Sequence, residues 1–172
     1  MEIRAARRTD LARIAAILEA CRTHLISQGI HQWDDQYPTR VDFEDDLASG
    51  TLFVGLRDRS VISTIVLNEH QEDEYREISW EYSGGRPLIV HRLLVHPHQH
   101  RRGVASQMID FAERYAAKNG YTEIRLEAFA GYPASLALYD ARKYRRAGIV
   151  QYRMGCFQCF EQRVSPPVPF HL

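Results

Sequence analysis

The sequence predicts a single α/β domain over residues 1–164, followed by a proline-rich tail at 165–172. A chain of 172 residues, 45% of them hydrophobic, is large enough to bury one sizeable core. Segments that alternate like strands are interspersed with segments that have the 3.6-residue period of helices. The clearest succession is an apolar strand, a short basic loop and an amphipathic helix between residues 88 and 115.

The N-terminal part of the chain predicts one strand and two helices. Residues 2–6 form the strand, and Thr9 is placed to cap the helix that follows. The apolar face of this helix consists of Leu11, Ile14, Leu18, Cys21 and Leu25. Gln28 and Gly29 close it, and a shorter helix is expected over residues 41–48.

A β-hairpin and an acidic segment come next. Residues 51–56 and 61–67 have the composition of strands, and the polar tip at 57–60 joins them. The acidic segment covers residues 69–81. It is either a solvated loop or a negative lip that attracts a cationic amine.

The middle of the chain predicts a turn that binds phosphate. A nearly continuous apolar run over residues 88–95 indicates a buried strand, which Pro97 ends. The helix after Gly103 carries its apolar residues at Val104, Met108, Phe111, Ala112 and Tyr115. Free N–H groups at a helix N-terminus attract anions, and glycine lets an anion approach the backbone closely. Arg101 and Arg102 add positive charge to this turn.

The C-terminal part predicts a strand, a helix and a final pair of strands. Residues 123–128 alternate as a strand, and Pro133 opens a short helix that runs to Tyr144. Residues 148–154 and 156–164 are expected to form the last two strands.

Composition excludes several classes of protein. Lysine plus arginine number 22 and aspartate plus glutamate number 22, so no overall positive field points to a nucleic-acid partner. No apolar run reaches membrane-spanning length, and the first residues do not form a secretory signal, so no membrane partner is expected. Three cysteines do not make a disulfide framework. These observations favour a reduced, cytoplasmic protein.

Two patterns that could suggest a metal do not support one. His96, His98 and His100 alternate, but Pro97 interrupts them and no carboxylate or cysteine pair lies nearby. Cys156 and Cys159 form a single pair without a partner pair, which is typical of ordinary strand cysteines. We expect no metal.

The turn before residue 104 resembles a known family. A Leu-x-Val-x-Pro pattern followed by a basic loop that ends in Gly-x-Ala is similar to the acetyl-coenzyme A motif of GNAT-superfamily N-acetyltransferases. This pattern is carried by Leu93, Val95, Pro97, Gly103 and Ala105. His100 stands where the family usually has Arg or Gln, and its side chain could still donate to a phosphate.

A second match lies in the helix after residue 133. The family often carries Asn-x-x-Ala-x-x-Leu-Tyr-x-x-x-Gly-Phe there, and this chain supplies Leu138 and Tyr139. Ser135 takes the Ala position, Tyr132 replaces the Asn, and Lys143 replaces the Gly. The two matches together cover residues 88 to 144, about a third of the chain.

The resemblance implies a fold and an activity. The fold is a GNAT-type single domain with a mixed, mostly antiparallel central sheet, flanking helices and splayed strands at the cofactor site. The activity is direct transfer of the acetyl group of acetyl-coenzyme A to a primary amine of a small molecule or peptide, with a homodimer left open. The implied cofactor residues are Leu93, Leu94, Val95, His100, Arg101, Arg102, Gly103, Val104, Ala105, Ser106 and Ser135.

The resemblance also implies catalytic residues. Tyr139 is the expected general acid that protonates the leaving thiolate, although its spacing also suits a core tyrosine. The candidate bases for the amine are His91, expected on the same strand face as Leu93, as well as Glu127 and Glu69. Each is alternatively a hydrogen-bonded or solvated structural residue, and a base acting through water is a further possibility.

Other features leave alternatives open. Trp33 lies with Gln32, Asp34 and Tyr37 between the first two helices, where the family commonly shapes its acceptor site, and the alternative for this aromatic residue is plain packing. The basic cluster at residues 142–146 is either a solvated face or a contact to the cofactor phosphates. The departures at His100, Tyr132 and Lys143 motivate a rival function, a non-catalytic module that binds or senses acyl-coenzyme A.

Overall fold

A computed structural model describes residues 1–165, and the expected tail beyond Ser165 lies outside the described residues. The strands are β1 (Glu2–Ala5), β2 (Leu52–Arg57), β3 (Ser60–Asn68), β4 (Pro87–Val95), β5 (Glu123–Phe129), β6 (Arg145–Tyr152) and β7 (Gly155–Arg163). The helices are α1 (Leu11–Ser27), α2 (Arg40–Ala48), α3 (Val104–Lys118) and α4 (Pro133–Ala141). Three short 3₁₀ turns occur at Arg8–Asp10, Asp73–Glu77 and Pro97–Gln99.

The strands form one sheet in the order β1-β2-β3-β4-β5-β7-β6. All neighbours are antiparallel except β4 and β5, which run parallel, so the expected mixed, mostly antiparallel sheet is confirmed. Helices α1 and α2 pack on one face of the sheet, and α3 and α4 pack on the other. The alternation of β2 illustrates this division, since Phe53 belongs to the α3 side whereas Leu52 and Val54 belong to the α1 side.

The parallel pair β4–β5 is joined over a short length only. Pairing runs from Pro87 opposite Glu123 to Ile89 opposite Arg125, although both strands continue well beyond these residues. Their outer edges stay paired, β4 with β3 and β5 with β7. The splayed strands that the resemblance implied are therefore present, and a cleft opens between the two inner edges.

A bulge in β4 changes which side chains share a face. Arg92 has a φ of +47°, and the register with β3 shifts opposite this position. Before the bulge, Ile89 belongs to the same buried cluster as Tyr75, from the segment after β3. His91 lies on the same face of β4 as Ile89, because alternate residues of a strand share a face. After the bulge, Leu93 packs on the α3 side. The expectation that His91 and Leu93 share a face was therefore wrong, because the extra residue inverts the alternation.

Helix α1 has the predicted apolar face but not the predicted cap. The five apolar residues expected on it are buried. Thr9 lies inside the 3₁₀ turn that precedes the helix, where the Asp10 carboxylate accepts a hydrogen bond from the Arg7 N–H at 2.7 Å. The prediction of Thr9 as the cap was wrong, because Asp10 is the residue that precedes α1, and its carboxylate bonds to Arg7 instead of capping the helix.

Two C-terminal boundaries also differ from the prediction. Helix α4 ends at Ala141 instead of Tyr144, and β6 begins at Arg145 instead of Gly148. Gly148 lies inside the strand, at a shift of register with β7, so it does not mark a strand start. The second helix, the hairpin and the central strand–turn–helix fall where the sequence places them, within about two residues.

Lys143 explains where α4 stops. Its φ is +61°, and its N–H donates to the Asp140 carbonyl at 2.9 Å, while the Tyr144 N–H donates to the Tyr139 carbonyl at 3.0 Å. These two bonds form a Schellman motif with Lys143 in the left-handed position that usually holds glycine. The lysine that replaces the family's glycine therefore keeps the glycine's backbone conformation, at a cost in strain.

Replacing Lys143 with glycine should relieve this strain. We expect Lys143→Gly to raise the free energy of unfolding by about 0.5–1 kcal/mol in urea titrations, since a non-glycine residue is strained in the left-handed region. Lys143→Ala is the control and should give no such gain. Equal stability of the glycine and alanine variants would contradict the assignment of strain to this position.

Candidate active site

A cavity of about 790 Å³ opens where β4 and β5 part. Its walls come from the connection between α1 and α2, the end of β4, the turn before α3, the start of α4 and the β6–β7 hairpin. Tyr139, His91 and Glu127 all line it. The expected cofactor residues that line it are Leu93, Leu94, Val95, His100, Arg101, Gly103, Val104, Ala105, Ser106 and Ser135. Arg102 does not line it and lies exposed on the turn.

The turn before α3 offers unpaired backbone donors to this cavity. Gly103 has a φ of +72°, and the first helical hydrogen bond runs from the Gln107 N–H to the Gly103 carbonyl at 3.0 Å. Within residues 1–165, the N–H groups of Val104, Ala105 and Ser106 have no acceptor. Such a helix start, with no side-chain cap, has the free N–H groups that favour an anion.

The backbone carbonyl of Val95, at the end of β4, already accepts hydrogen bonds from side chains of the same chain. The His96 N–H donates to the Ile62 carbonyl of β3, so Val95 directs its N–H and carbonyl toward the open edge of the strand. The Val95 carbonyl accepts from His100 Nε2 at 2.8 Å and from Cys21 Sγ at 3.3 Å. The Val95 N–H is the backbone group that this residue directs into the cleft.

His100 holds the turn in place. Because its Nε2 donates to the Val95 carbonyl, that nitrogen does not serve the phosphate contact expected from the sequence. Its ring packs edge-on against His24 at a centroid distance of 5.2 Å. Burial lowers the pKa of His100, while the bond to Val95 acts in the opposite direction.

Tyr139 is both a packed core residue and a residue of the cavity wall, so its position is compatible with both alternatives from the sequence, a core tyrosine and a general acid. It is 6% exposed, and its ring packs against Phe160 at 5.2 Å and Tyr144 at 5.8 Å. It also lines the cavity. Burial raises the pKa of the phenol, and the nearby Glu127 adds to this effect. The phenol therefore keeps its proton near neutral pH, which is the form that a general acid requires.

Glu127 is a carboxylate without a partner. Its Oε2 atom is enclosed and has no hydrogen-bond partner in the part of the chain that the structure describes. Burial, together with the charges of Glu72 and Glu74, raises the pKa of this carboxyl to about 8. A carboxyl with a pKa near the pH of its surroundings is suited to accept and release a proton.

The other two candidate bases are placed differently. His91 Nε2 lies 3.1 Å from both the Asn68 Oδ1 and the His70 carbonyl, so this nitrogen carries the proton. Burial lowers the pKa of His91 to about 4, and its ring is neutral at physiological pH. Glu69 does not line the cavity, and it forms an ion pair with Arg86.

The β6–β7 hairpin contributes residues that the sequence did not single out. Tyr152, Arg153 and Phe157 of this hairpin line the cavity together with Tyr37, which the sequence singled out beside Trp33 in the connection between α1 and α2. The hairpin tip lies more than 100 residues from this connection in sequence, and no local pattern predicts the approach. Trp33 does line the cavity, and it also packs against the α1 core.

The basic cluster after α4 is held by ion pairs outside the cavity. Arg142 contacts Glu113 of α3 at 2.9 Å, and Arg146 contacts Asp140 at 2.6 Å. Arg145 contacts Glu161, which is fully buried. These arginines join α3, α4 and the last strands, and none of the three lines the cavity.

The family of the chain follows from a comparison of its sequence. The model of the acetyltransferase (GNAT) family matches residues 13–144, which is well over half of the chain. The chain belongs to this family and is an acetyltransferase. A comparison with curated proteins found no significant match.

Solved structures of other proteins share the fold. An acetyltransferase of the GNAT family from Streptococcus agalactiae has a TM-score of 0.84 and 22% identity over 94% of each chain. The ribosomal-protein-S18-alanine N-acetyltransferase of Escherichia coli has a TM-score of 0.70 and 13% identity over 99% of this chain and 97% of its own. The protein yncA of Salmonella typhimurium, solved with its cofactor acetyl-CoA, has a TM-score of 0.67 and 15% identity, covering 95% and 94%.

Two searches of the described residues bear on other kinds of site. Across residues 1–165, no helix is both long enough and apolar enough to cross a membrane. The same part of the chain contains no group of three or more His, Cys, Asp or Glu side chains arranged to hold a metal ion.

The raised pKa of the Glu127 carboxyl should make the free energy of unfolding depend on pH. In the unfolded chain a Glu carboxyl has a pKa of about 4.3. Between that value and about 8 the folded protein holds a proton that the unfolded chain has lost, so the free energy of unfolding falls as the pH rises. We expect Glu127→Gln to match the unchanged protein near pH 5 and to be about 1–3 kcal/mol more stable at pH 9.

Glu69→Gln is the matched control in urea unfolding from pH 5 to 9. Arg86 lowers the pKa of the Glu69 carboxyl, so this ion pair contributes stability above the unfolded pKa, and its loss should stabilise the protein at no pH. A constant difference between Glu127→Gln and the unchanged protein across this range would show that Glu127 titrates normally.

Proposed function

We propose that this acetyltransferase transfers the acetyl group of acetyl-coenzyme A to a primary amine of a small molecule or peptide, by direct attack in a ternary complex. The observation that carries the proposal is one continuous cavity with an anion-binding helix start, the enclosed Glu127 carboxyl and the Tyr139 phenol on its walls. Acyl transfer needs these three functions together: a site for the donor, a base for the amine and an acid for the thiolate.

The cofactor would bind along the turn and the open edge of β4. The free N–H groups of Val104, Ala105 and Ser106 are suited to the pyrophosphate, with Arg101 beside them. The Val95 N–H is placed to orient the pantetheine arm, and Ser135 faces the same cavity from α4. The complex of yncA with acetyl-CoA supports this choice of donor in the shared fold.

Residues at the cleft can accept or donate each proton that the reaction transfers. The acceptor arrives as an ammonium ion, since primary amines are charged near neutral pH. Glu127 takes one proton, and the freed nitrogen attacks the thioester carbonyl, so that a C–N bond forms and the C–S bond breaks. The leaving thiolate takes the proton of Tyr139, and the second amine proton restores the phenol. The products are the amide, the free thiol and one proton left on Glu127.

The rival function is a non-catalytic module that binds or senses acyl-coenzyme A. Its remaining motivation is Tyr132 in place of the family's Asn, because Lys143 keeps the glycine conformation and His100 holds the turn. The two functions differ in one measurable way. The enzyme releases free thiol in the presence of a suitable amine, whereas the sensing module binds the cofactor and releases none.

The turn before α3 can be tested through Gly103. A Cβ atom at this position would meet only Gln107 Nε2, at 3.9 Å, so the space in front of the backbone is open to a phosphate. We expect Gly103→Val to weaken acetyl-coenzyme A binding at least about tenfold in calorimetry, because the side chain would occupy that space.

Gly120, at the other end of α3, provides the matched control. Its φ of +74° equals that of Gly103 within a few degrees, and no heavy atom lies within 4 Å of its Cβ position. Gly120→Val should therefore carry the same backbone strain without affecting the cofactor. Equal cofactor affinities in the two variants would place the phosphate elsewhere.

The role of the phenol can be tested by Tyr139→Phe. The change removes one hydroxyl and keeps the ring that packs against Phe160, so folding and cofactor affinity should be retained. We expect kcat for thiol release with an accepted amine to fall by about 10²–10⁴-fold, the usual contribution of a general acid.

Tyr144→Phe is the control, because its hydroxyl is buried against Glu113 outside the cavity. This variant should lose stability and keep kcat. An unchanged kcat in Tyr139→Phe would mean that water protonates the thiolate. An equal loss of cofactor affinity would make Tyr139 a structural residue.

A further inference from the structure

The end of the cavity beyond the cofactor residues has an aromatic lining. Trp33 and Tyr37 approach it from the connection between α1 and α2, and Tyr152 and Phe157 approach it from the β6–β7 hairpin. Glu127 lines the same cavity as Tyr37, Tyr139 and Tyr152. Burial raises the pKa of these three phenols, and the charge of Glu127 raises each further. The rings are suited to an apolar or aromatic body and, by their faces, to a cation.

The positive side chains at this end are already paired. Arg92 forms two hydrogen bonds to Asp46, at 2.8 and 2.6 Å, and a third to the Tyr37 hydroxyl at 2.7 Å. Arg153 forms two to Asp34, at 2.6 and 3.0 Å. The third lining arginine, Arg101, lies at the turn before α3.

One acidic side chain in the cavity has the opposite status. Glu127 Oε2 has no partner in the described residues, whereas Glu72, which also lines the cavity, lies 3.6 Å from His70 Nε2. His91 is neutral there, because its pKa is lowered. A carboxylate on the acceptor would meet the Glu127 carboxyl and, within the part of the chain that the structure describes, arginines that are already paired, which makes its desolvation costly. An ammonium ion would meet a carboxylate and aromatic faces.

We infer that the acceptor is a primary amine with an apolar or aromatic body and no carboxylate beside the amine. This inference rests on the proposed function and narrows its substrate class. Selection would work in both directions, because an ammonium ion favours the ionised form of Glu127, whereas an acceptor carboxylate would lack a free arginine among the described residues at this end. The paired arginines are thus specificity elements, because each one is kept from binding a carboxylate by an aspartate of this chain.

Three acceptors that share one side chain test the inference. They are 2-phenylethylamine, phenylalanine and phenylalanine amide, each measured by thiol release at saturating acetyl-coenzyme A. We expect kcat/KM for the amine and the amide to exceed that for phenylalanine by at least about 100-fold, which corresponds to one unpaired buried charge. Binding of each compound to the protein loaded with free coenzyme A, measured by calorimetry, should follow the same order without depending on turnover.

Asp34→Asn should weaken this selection. The Asp34 Oδ1 atom accepts the N–H groups of Gln36 and Tyr37, and an asparagine keeps that oxygen while it removes the charge that pairs Arg153. Arg153 then becomes available to a carboxylate, so the amine-to-amino-acid ratio of kcat/KM should fall at least about fivefold. Asp35→Asn, an exposed neighbour that does not pair Arg153 by a hydrogen bond, is the control and should keep the ratio.

The outcomes separate this inference from the proposed function. Acetylation of phenylalanine as fast as the amine, or an unchanged ratio in Asp34→Asn, would overturn the substrate class and leave acetyl transfer intact. Binding of the amine in preference to phenylalanine with no thiol release would support the substrate class and overturn the enzyme in favour of the sensing module. Preferred binding of phenylalanine to the loaded protein would overturn the inference whatever the turnover.

Discussion

The parting of β4 and β5 is the feature on which the site depends. Two parallel strands that are paired over three residues and then separate leave backbone groups on both inner edges without a strand partner. The sheet tolerates this because β3 and β7 complete the hydrogen bonds on the outer edges. The turn before α3, the Glu127 carboxyl and the Tyr139 phenol all face the space that results. If β4 and β5 were paired along their whole length, the turn, the carboxyl and the phenol would each have a different exposure to solvent.

The charges around this space follow one arrangement. Arg92 and Arg153 are each neutralised by an aspartate of the same chain, whereas Glu127 Oε2 has no hydrogen-bond partner within residues 1–165. An enclosed carboxyl without a partner destabilises the fold when it is ionised, and such groups are concentrated at functional sites. The ion pair between Arg153 and Asp34 also joins the β6–β7 hairpin to the connection before α2. The same interaction therefore leaves the Arg153 guanidinium at the cavity paired within the chain.

Local sequence determined most of the fold and the cofactor turn. The strand–loop–helix around Gly103, the apolar face of α1 and the order of the elements follow from hydrophobic period, turn residues and helix-start chemistry, which act over a few residues. The two family motifs then implied the splayed sheet and placed Tyr139 and Glu127 on the list of catalytic candidates. Local reasoning failed where two local solutions compete. A 3₁₀ turn places Asp10 and not Thr9 directly before α1, and Lys143 ends α4 in a conformation that usually requires glycine.

The tertiary structure alone decided the face of His91 and the composition of the acceptor end. One extra residue at Arg92 inverts the alternation of β4, and the cause of that bulge, a shift of pairing with β3, is not local. The pKa of Glu127 depends on its enclosure by segments far apart in the chain. The pairing of Arg153 with Asp34 joins residues 119 positions apart. Burial and ion pairing are properties of the packed chain, so the sequence names the charged residues but does not tell which of them stay free to bind a substrate.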